Sequence, residues 1–581
     1  MMNSQIQPCF RVKGSKGIGR LRLLLAFALV LGMTATAIPQ RRRDATPQRA
    51  LSTPAINESA LRANIKYLSD DLMEGRAPGS RGGELAAKYI AAQMEALGLK
   101  GAGQQGSFFQ PVSLVGVKVD PKTTLTVSSG GKRESFKFAE EFVAFTGAQT
   151  ENVSLDADLV FVGYGIDAPE QRWNDYKGSA DDYRGKVLVM MVNDPPATPS
   201  EPNLFGARAL TYYGRWTYKF EEAARRGAAG VILIHTDESA GYPWGVVRTS
   251  NGSWRFDLAR GANSTVPFLK MRSWVTNDTA QKIFRLAGQD LDDLKRRAAS
   301  RDFQPVKLGA KASIDLKSEV KRVESMNVAG VLQGSDPRLR DEYVIYSAHW
   351  DHLGIGEPNK RGDNIYNGAV DNASGVASVL AIAEAFAKLP ANERPRRSIM
   401  FFFPTAEEQG LLGAEWYSQH PLVPLRKTAA NVNLDSMNIL GRTRDFVALG
   451  AERSSLMRVV EAAARARSMS VGTDPRPEQG SFYRSDHFPF AKVGVPSISF
   501  KEGMDFIGRP KDWGEQQFRA YNTANYHQPS DEYSDTWNFE GMVQDTMLAL
   551  EIGRRIADMN EMPRFNPSDE FAKADRNRMG E

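Results

Sequence analysis

The chain has 581 residues, 25% of them charged, and a formal net charge of +5; at about 150 residues per domain the length allows three or four domains. The first 37 residues carry five basic side chains and no acidic one, so without them the formal charge falls to zero, and a nucleic-acid partner has no electrostatic support. The single cysteine, Cys9, lies in the same stretch, so the remainder has no disulfide.

Arg11, Lys13, Lys16, Arg20 and Arg22 precede an apolar run over 23–33, followed by Ala35-Thr36-Ala37. A charged segment, a short apolar segment and an A-x-A site mark residues 1–37 as a secretory signal peptide, and the run is too short for a comfortable membrane span. The expectation is a secreted or periplasmic protein with no stable membrane insertion after cleavage, the alternative being a signal anchor. Residues 38–55 read as a flexible leader. Helical spacing follows over 56–98: Leu61, Ile65 and Leu68 form one apolar face, and Ala86, Ile90, Met94 and Leu97 another, around the loop 74–82. Gly101 to Gly106 matches a dinucleotide fingerprint as a string, yet it follows a helix and precedes the strand-like run 108–115, the reverse of what that fingerprint needs.

From 136 to 306 strand-like runs alternate with turns, among them 159–165 and 185–192. A helix through Tyr218, Phe220, Ala223 and Ala224 then precedes an apolar strand, 230–235. The aromatics Tyr212, Tyr213, Trp216, Tyr242 and Trp244 either belong to this lobe's structure or line an approach to a site. Three more apolar runs, 343–348, 398–404 and 429–434, read as buried strands. Directly past their ends stand His349, the pair Glu407-Glu408, and Asp435. Ligands collect outside the carboxyl ends of strands in open α/β sheets, so these residues point to one shared site. Asp371 lies in a loop before a helix that Val376, Val379, Leu380, Ala383 and Phe386 make legible, with Ser374 as its N-cap. His527 completes the set. After Pro563 the chain is polar, and a disordered tail is expected over 563–581.

Two imidazoles and three carboxylates suffice for two divalent metals when one carboxylate bridges, and the sixth group is then free to act as a general base. Taken singly, a Glu-Glu pair is a solvated helix face and a histidine past a strand a core residue; the conjunction favours a metal site. His235, His352 and His420 read as structural, and Arg361-Gly362-Asp363 as a loop turn. No Gly-x-Ser-x-Gly elbow and no His-Glu-x-x-His pattern occurs, so serine-hydrolase and single-helix zincin mechanisms lack their signals.

The segments 347–352 (SAHWDH), 368–375 (GAVDNASG), 404–410 (PTAEEQG), 433–435 (NLD) and 526–527 (YH) resemble, in order and spacing, the motifs of the M28 family of zinc peptidases. The loop 74–82 resembles that family's opening segment, and 219–235 is similar to a protease-associated domain. The resemblance implies an α/β fold: a three-layer α/β/α zinc-peptidase domain with a mixed, mainly parallel sheet over 56–118 and 318–560, and an inserted β-rich protease-associated domain over 136–306. It implies two zinc ions per chain, with Asp371 bridging, His349 and Asp435 on one ion, and Glu408 and His527 on the other. Glu407 would be the general base, and Asp351 would accept the other ring N–H of His349. Tyr483 would donate to the tetrahedral intermediate, and Asp486 would support the site. A cis peptide often follows the bridging aspartate in such relatives, although here Asn372 stands where some have a second Asp.

The activity implied is a secreted aminopeptidase acting on peptides. A carboxypeptidase, with Arg442, Arg444 or Arg484 clamping a substrate carboxylate, a glutaminyl cyclase, and a non-enzymatic receptor-like homologue are the alternatives.

Overall fold

The structure, a computed structural model, describes residues 55–581 except 241, 242, 253, 262 and 263. The signal sequence and all of the leader but its last residue lie outside the described residues.

The three apolar runs form the strands Tyr343–Ser347, Ser398–Phe403 and Thr428–Leu434, with the first pairing parallel to both others. Every residue of the latter two is buried. Helices cover both faces, and a strand buried on both sides reads as an unbroken apolar run instead of an alternation. The period of two still separates the faces. Val344, Tyr346, Ile399, Phe401 and Phe403 pack with helices Glu58–Leu68, Arg81–Ala96, Gly375–Ala387 and Glu540–Asp558. Ile345, Met400 and Phe402 pack on the opposite side with Leu412–Gln419 and His487–Lys492. This is the expected three-layer α/β/α arrangement. The stretch Ala369–Ala387 is apolar enough to cross a membrane, but it is 94% buried inside the protein and serves as a core helix.

The sheet continues through Ser497–Glu502, Asp445–Leu449 and Ser470–Gly472 on one side. On the other side it continues through Val306–Leu332 and Phe109–Val119. Val306–Leu332 is 27 residues long because it serves two sheets. Lys317 is its last residue paired with Asn152–Phe161, and Ser318 its first paired with Phe109–Val119.

The second sheet runs from the hairpin Thr124–Ser129 and Lys132–Lys137 through Val306–Leu332 and Asn152–Phe161 to the parallel strands Val187–Met191, Gly230–His235 and Met271–Thr276, with Phe142–Phe145 at its edge. It has its own core, extending from Val119 to Leu316, wider than the span 136–306. The helix read through Tyr218 is Trp216–Arg225. Trp216 packs on Phe220 and Trp274, and Trp244 on His235, so these tryptophans belong to the lobe and do not line a site.

A third, smaller core joins this lobe to the first. Trp173, Phe205 and Tyr212 of the insert meet Val447, Leu449, Phe482, Tyr483 and Phe488, together with Phe565 and Phe571. The expectation of a disordered tail is therefore corrected. Phe565 and Phe571 are buried, Asp569 and Glu570 both bind Arg453, and Ala572–Met579 is helical. Only two large apolar side chains anchor this segment, and their partners are distant in sequence, so no local pattern announces it. Removing residues 563–581 should expose the aromatic cluster; burial of one Phe contributes about 1.5–3 kcal/mol, and scanning calorimetry should show a lowered unfolding temperature. An unchanged midpoint would mean the tail adds nothing to the fold.

Candidate metal centre

His349, Glu407, Glu408 and Asp435 emerge past the carboxyl ends of three parallel strands, as read from the sequence, and Asp371 and His527 come in from loops on either side. His349 Nε2 lies 3.3 Å from Asp371 Oδ1 and 3.7 Å from Asp435 Oδ1. His527 Nε2 lies 3.3 Å from Asp371 Oδ2 and 3.1 Å from Glu408 Oε2. Asp371 thus offers one oxygen to each imidazole. Ligand atoms of His349, Asp371 and Asp435 lie within 4.8 Å of one another, and so do those of His352, Asp371 and Glu408. His527 Nε2 has no hydrogen-bond partner despite the two nearby carboxylate oxygens, an arrangement that suits atoms converging on a cation.

Charge makes the same case. Asp351, Asp371, Asp435 and Asp486 are buried, and Glu407 and Glu408 sit beside them, with no Lys or Arg in ion-pair contact with any of the six among the described residues. A cluster of buried carboxylates without cationic partners is destabilised unless protons or metal ions neutralise it. Burial would raise Glu408, but His527 and His352 outweigh it and hold the carboxylate down to about 2. Burial and the neighbouring Glu408, Asp486 and Asp435 push Glu407 well above the usual carboxylate range, His349 opposing.

Supporting contacts fix each ligand. Four hydrogen bonds run in one direction through the sheet: Asn431 Nδ2 to Ser347 Oγ (2.9 Å), Ser347 Oγ to Asn433 Oδ1 (2.7 Å), Asn433 Nδ2 to Ser485 Oγ (2.7 Å) and Ser485 Oγ to Asp435 Oδ2 (2.6 Å). Their sense is set by the final acceptor, a carboxylate that cannot donate, and such chains reinforce one another. His352 Nδ1 sits 2.6 Å from Glu408 Oε1, leaving Oε2 facing His527. Asp531 accepts the backbone N–H groups of Val370 (3.1 Å) and Asp371 (3.0 Å) and a hydrogen bond from Tyr521 (3.2 Å). Arg76, 1% exposed, donates to the carbonyls of Leu68, Trp350, Asn367 and Gly368 and so ties together the loops that carry His349 and Asp371. Ala406, Ser436 and His527 have φ of 55°, 60° and 55°, so left-handed backbone occurs at His527 itself and directly beside Glu407 and Asp435.

Several sequence expectations change. Ser374 does not cap the helix: it is itself helical, and its Oγ donates to Val370 O at 2.6 Å. His349 Nδ1 meets the backbone oxygen of Asp351 at 3.1 Å, whereas the Asp351 carboxylate is 3.9 Å away and accepts from Glu407 N–H. Tyr483 turns from the site, donating to Glu570 at 2.7 Å and accepting from Arg453 at 3.0 Å. Asp486 is fully buried beside the cluster, and neither carboxylate oxygen has a hydrogen-bond partner. The peptide Asp371-Asn372 is cis, as expected. Arg76 lies in the quoted loop 74–82 and Asp531 only four residues after His527, but nothing in their sequence surroundings distinguished them from surface charges.

Asp371, Glu407 and Asp435 open into a cleft of about 490 Å³. Its walls are largely apolar, with Met437, Leu440, Met504, Phe506, Phe518 and Trp537, and the charged Arg484, Lys501, Glu502 and Glu532 also face it. Of the three arginines considered as carboxylate clamps, only Arg484 lines it; Arg444 is paired with Asp505 at 2.7 Å, and Arg442 borders a separate hollow.

Residues 327–550 match the model of peptidase family M28, which bears out the resemblance read from the motifs over that span. A mouse protein named aminopeptidase NAALADL1 is 34% identical over 131 residues, 22% of this chain and 16% of the relative. A probable leucine aminopeptidase 2 of Aspergillus oryzae is 25% identical over 265 residues, 44% of this chain and 50% of the relative. The chain thus spans half or less of the length of these curated relatives. An aminopeptidase structure from Aneurinibacillus sp. strain AM-1 overlaps 88% of this chain and 95% of its own at 19% identity, with a TM-score of 0.48.

Burial lowers the ring pKa of both His349 and His527, and the facing carboxylates outweigh it, so both are raised well above an ordinary imidazole. Each ring is protonated below its raised pKa and must lose that proton to coordinate. Zinc affinity should therefore fall as pH drops and should still be rising above the normal imidazole range. Chelator competition at about pH 6, 7 and 8 measures this; a flat profile would remove these histidines from the ligand set.

Proposed function

We propose that this chain, whose residues 327–550 match peptidase family M28, is a zinc-dependent aminopeptidase binding two zinc ions, exported by the segment 1–37 and acting on peptides. The observation that carries the reading is Asp371, which gives one oxygen to each of two imidazoles at 3.3 Å while each imidazole also faces a second carboxylate. His349, Asp371 and Asp435 would hold one ion, and Asp371, Glu408 and His527 the other, a donor set of imidazole and carboxylate that suits zinc. When bound, zinc acts as a Lewis acid that acidifies water and polarises a carbonyl.

The remaining chemistry falls to the protein. Glu407 lines the cleft with Asp371 and Asp435, and its N–H is held by Asp351 Oδ1 at 3.1 Å. That placement suits a group that takes a proton from the attacking water and returns it to the departing amine. The apolar walls would receive the side chain of the first residue, and the acidic surroundings its α-amine. The complete ligand set supports an enzyme over a receptor-like homologue, and two three-residue sets support a peptidase over a one-zinc cyclase. The alleged oxyanion role of Tyr483 has no support, because its hydroxyl is engaged by Glu570 and Arg453. The inserted lobe we assign to the protease-associated type on its parallel strands and the Trp216–Arg225 helix.

One observation favours a carboxypeptidase as the second reading. Arg484 is exposed and lines the cleft, and its guanidinium has no hydrogen bond or ion pair among the described residues, as one awaiting a carboxylate would. Blocked peptides decide between the two. N-acetylation should abolish cleavage and C-terminal amidation should not; the opposite pattern would make Arg484 the specificity anchor and the enzyme a carboxypeptidase.

Glu407→Gln should keep its zinc and lose on the order of a hundredfold or more in turnover, because the base is lost while the ligands stay. Glu408→Gln should lose zinc first. Equal metal content and equal kinetics in the two variants would invalidate the division between neighbours.

A further inference from the structure

Among the described residues the inserted lobe contributes none to the lining of the cleft, yet it grips one wall of that cleft. Asp474, Pro475, Arg476, Gln479, Ser481 and Arg484 line the cleft along one segment of chain. On the far side of this segment, Leu210 N–H donates to Pro477 O at 2.9 Å, and Arg208 Nη2 meets Glu478 Oε2 at 2.9 Å. Gly480 has φ of +60°, and a Cβ there would stand 2.6 Å from Leu210 Cδ2, so the leucine side chain occupies the space that any larger residue would need. Tyr212 then packs its ring 5.0 Å from Phe488 and 6.2 Å from Tyr483.

The gripping loop is itself fixed. Thr211 donates its N–H (2.7 Å) and hydroxyl (2.8 Å) to Asp194, and Asn193 N–H donates to Gly214 O at 2.9 Å. Arg476 also pairs with Glu515 at 2.6 Å and lies 3.5 Å over the Phe518 ring, which joins the wall to the helix Trp513–Ala524, itself part of the cleft lining. The wall is therefore held by the insert and by this helix, with little regular structure of its own beyond two short turns, Pro477–Gln479 and Ser481–Tyr483.

We propose that Arg208 and Leu210 are specificity-determining positioning residues: they set the placement of the 474–485 wall, and through it the width of the cleft that receives a large apolar substrate side chain. The insert thus selects substrates through the wall it holds. This rests on the aminopeptidase reading for its kinetic consequence, but not for its structural one.

Two readouts test it, on the full chain. Hydrogen exchange compares wild type with Arg208→Ala, an exposed change that leaves the core intact, and with the double variant Arg208→Ala/Leu210→Ala. Exchange within 474–485 should rise by about tenfold in the double variant, with the sheet strands and zinc content unaltered. Kinetics on leucine and alanine p-nitroanilides should show KM rising about fivefold for the leucine substrate, kcat within about twofold, and no change for alanine. Leu210→Met should restore the leucine KM. Unchanged exchange over 474–485, or a KM rise of equal size for both substrates, would overturn the proposal. If the wild type cleaves neither substrate, the aminopeptidase reading fails, and the exchange result still decides whether the insert positions the wall.

Discussion

Buried negative charge is the constraint around which the rest is arranged. Parallel pairing of Tyr343–Ser347 with both Ser398–Phe403 and Thr428–Leu434 delivers carboxylates and an imidazole to one edge of the sheet, and loops add Asp371, Asp486 and His527. No Lys or Arg side chain forms an ion pair with these acids among the described residues. In a low-dielectric setting the acids repel, and desolvation makes each one costly unless it is neutralised. The crowded acids raise Glu407 and both imidazoles together, each in the direction that reduces the net negative charge. Divalent ions neutralise it more completely, so metal binding and folding stability are linked at this site.

Holding like charges together demands rigid supports, and the supports are neutral where they can be. The Asp435 carboxylate is anchored through Asn and Ser side chains, while the Lys501 ammonium donates to its backbone oxygen at 3.1 Å. Asp371 is placed through its backbone N–H by Asp531. Arg76 is a buried cation among the supports, a guanidinium whose burial draws it down to about 10 despite the surrounding acids. It donates to four carbonyls instead of to a carboxylate, so its charge offsets the negative potential of the whole site without neutralising any single ligand. Replacing it with lysine would retain the charge and lose the fork that spans two loops.

Much of this was legible in the sequence, for a physical reason. Strands buried on both faces must be apolar throughout, so 343–348, 398–404 and 429–434 announced themselves, and polar residues directly past them had nowhere to point but the sheet edge. The same logic located Trp216–Arg225 and Gly230–His235 in the insert. What stayed hidden depends on contacts between distant segments. Tyr483 sits in an apolar-aromatic run whose register gives no hint of whether its hydroxyl meets the cleft or Glu570, 87 residues away. The tail offers two phenylalanines among charges, a pattern shared with disordered chains. Ser374 has an N-cap's position, but the helix starts earlier, in the wider turn Ala369–Ser374, which periodicity cannot reveal.

Asn372, where some similar peptidases carry a second aspartate, has a local explanation. Its Nδ2 donates to Leu434 O at 3.1 Å, while its Oδ1 accepts from Gly375 N–H at 2.9 Å and from Ser436 N–H at 3.2 Å. The residue thus bridges the Asp371 loop to both sides of Asp435 in the chain. Only a side chain that both donates and accepts can make all three bonds. A carboxylate would keep the two N–H bonds, lose the one to Leu434 O and set oxygen against oxygen there, and it would add one more negative charge to a site already crowded with them. With Asn, the link between two candidate ligands costs no charge, and the acids that remain are those placed to meet a cation or a proton.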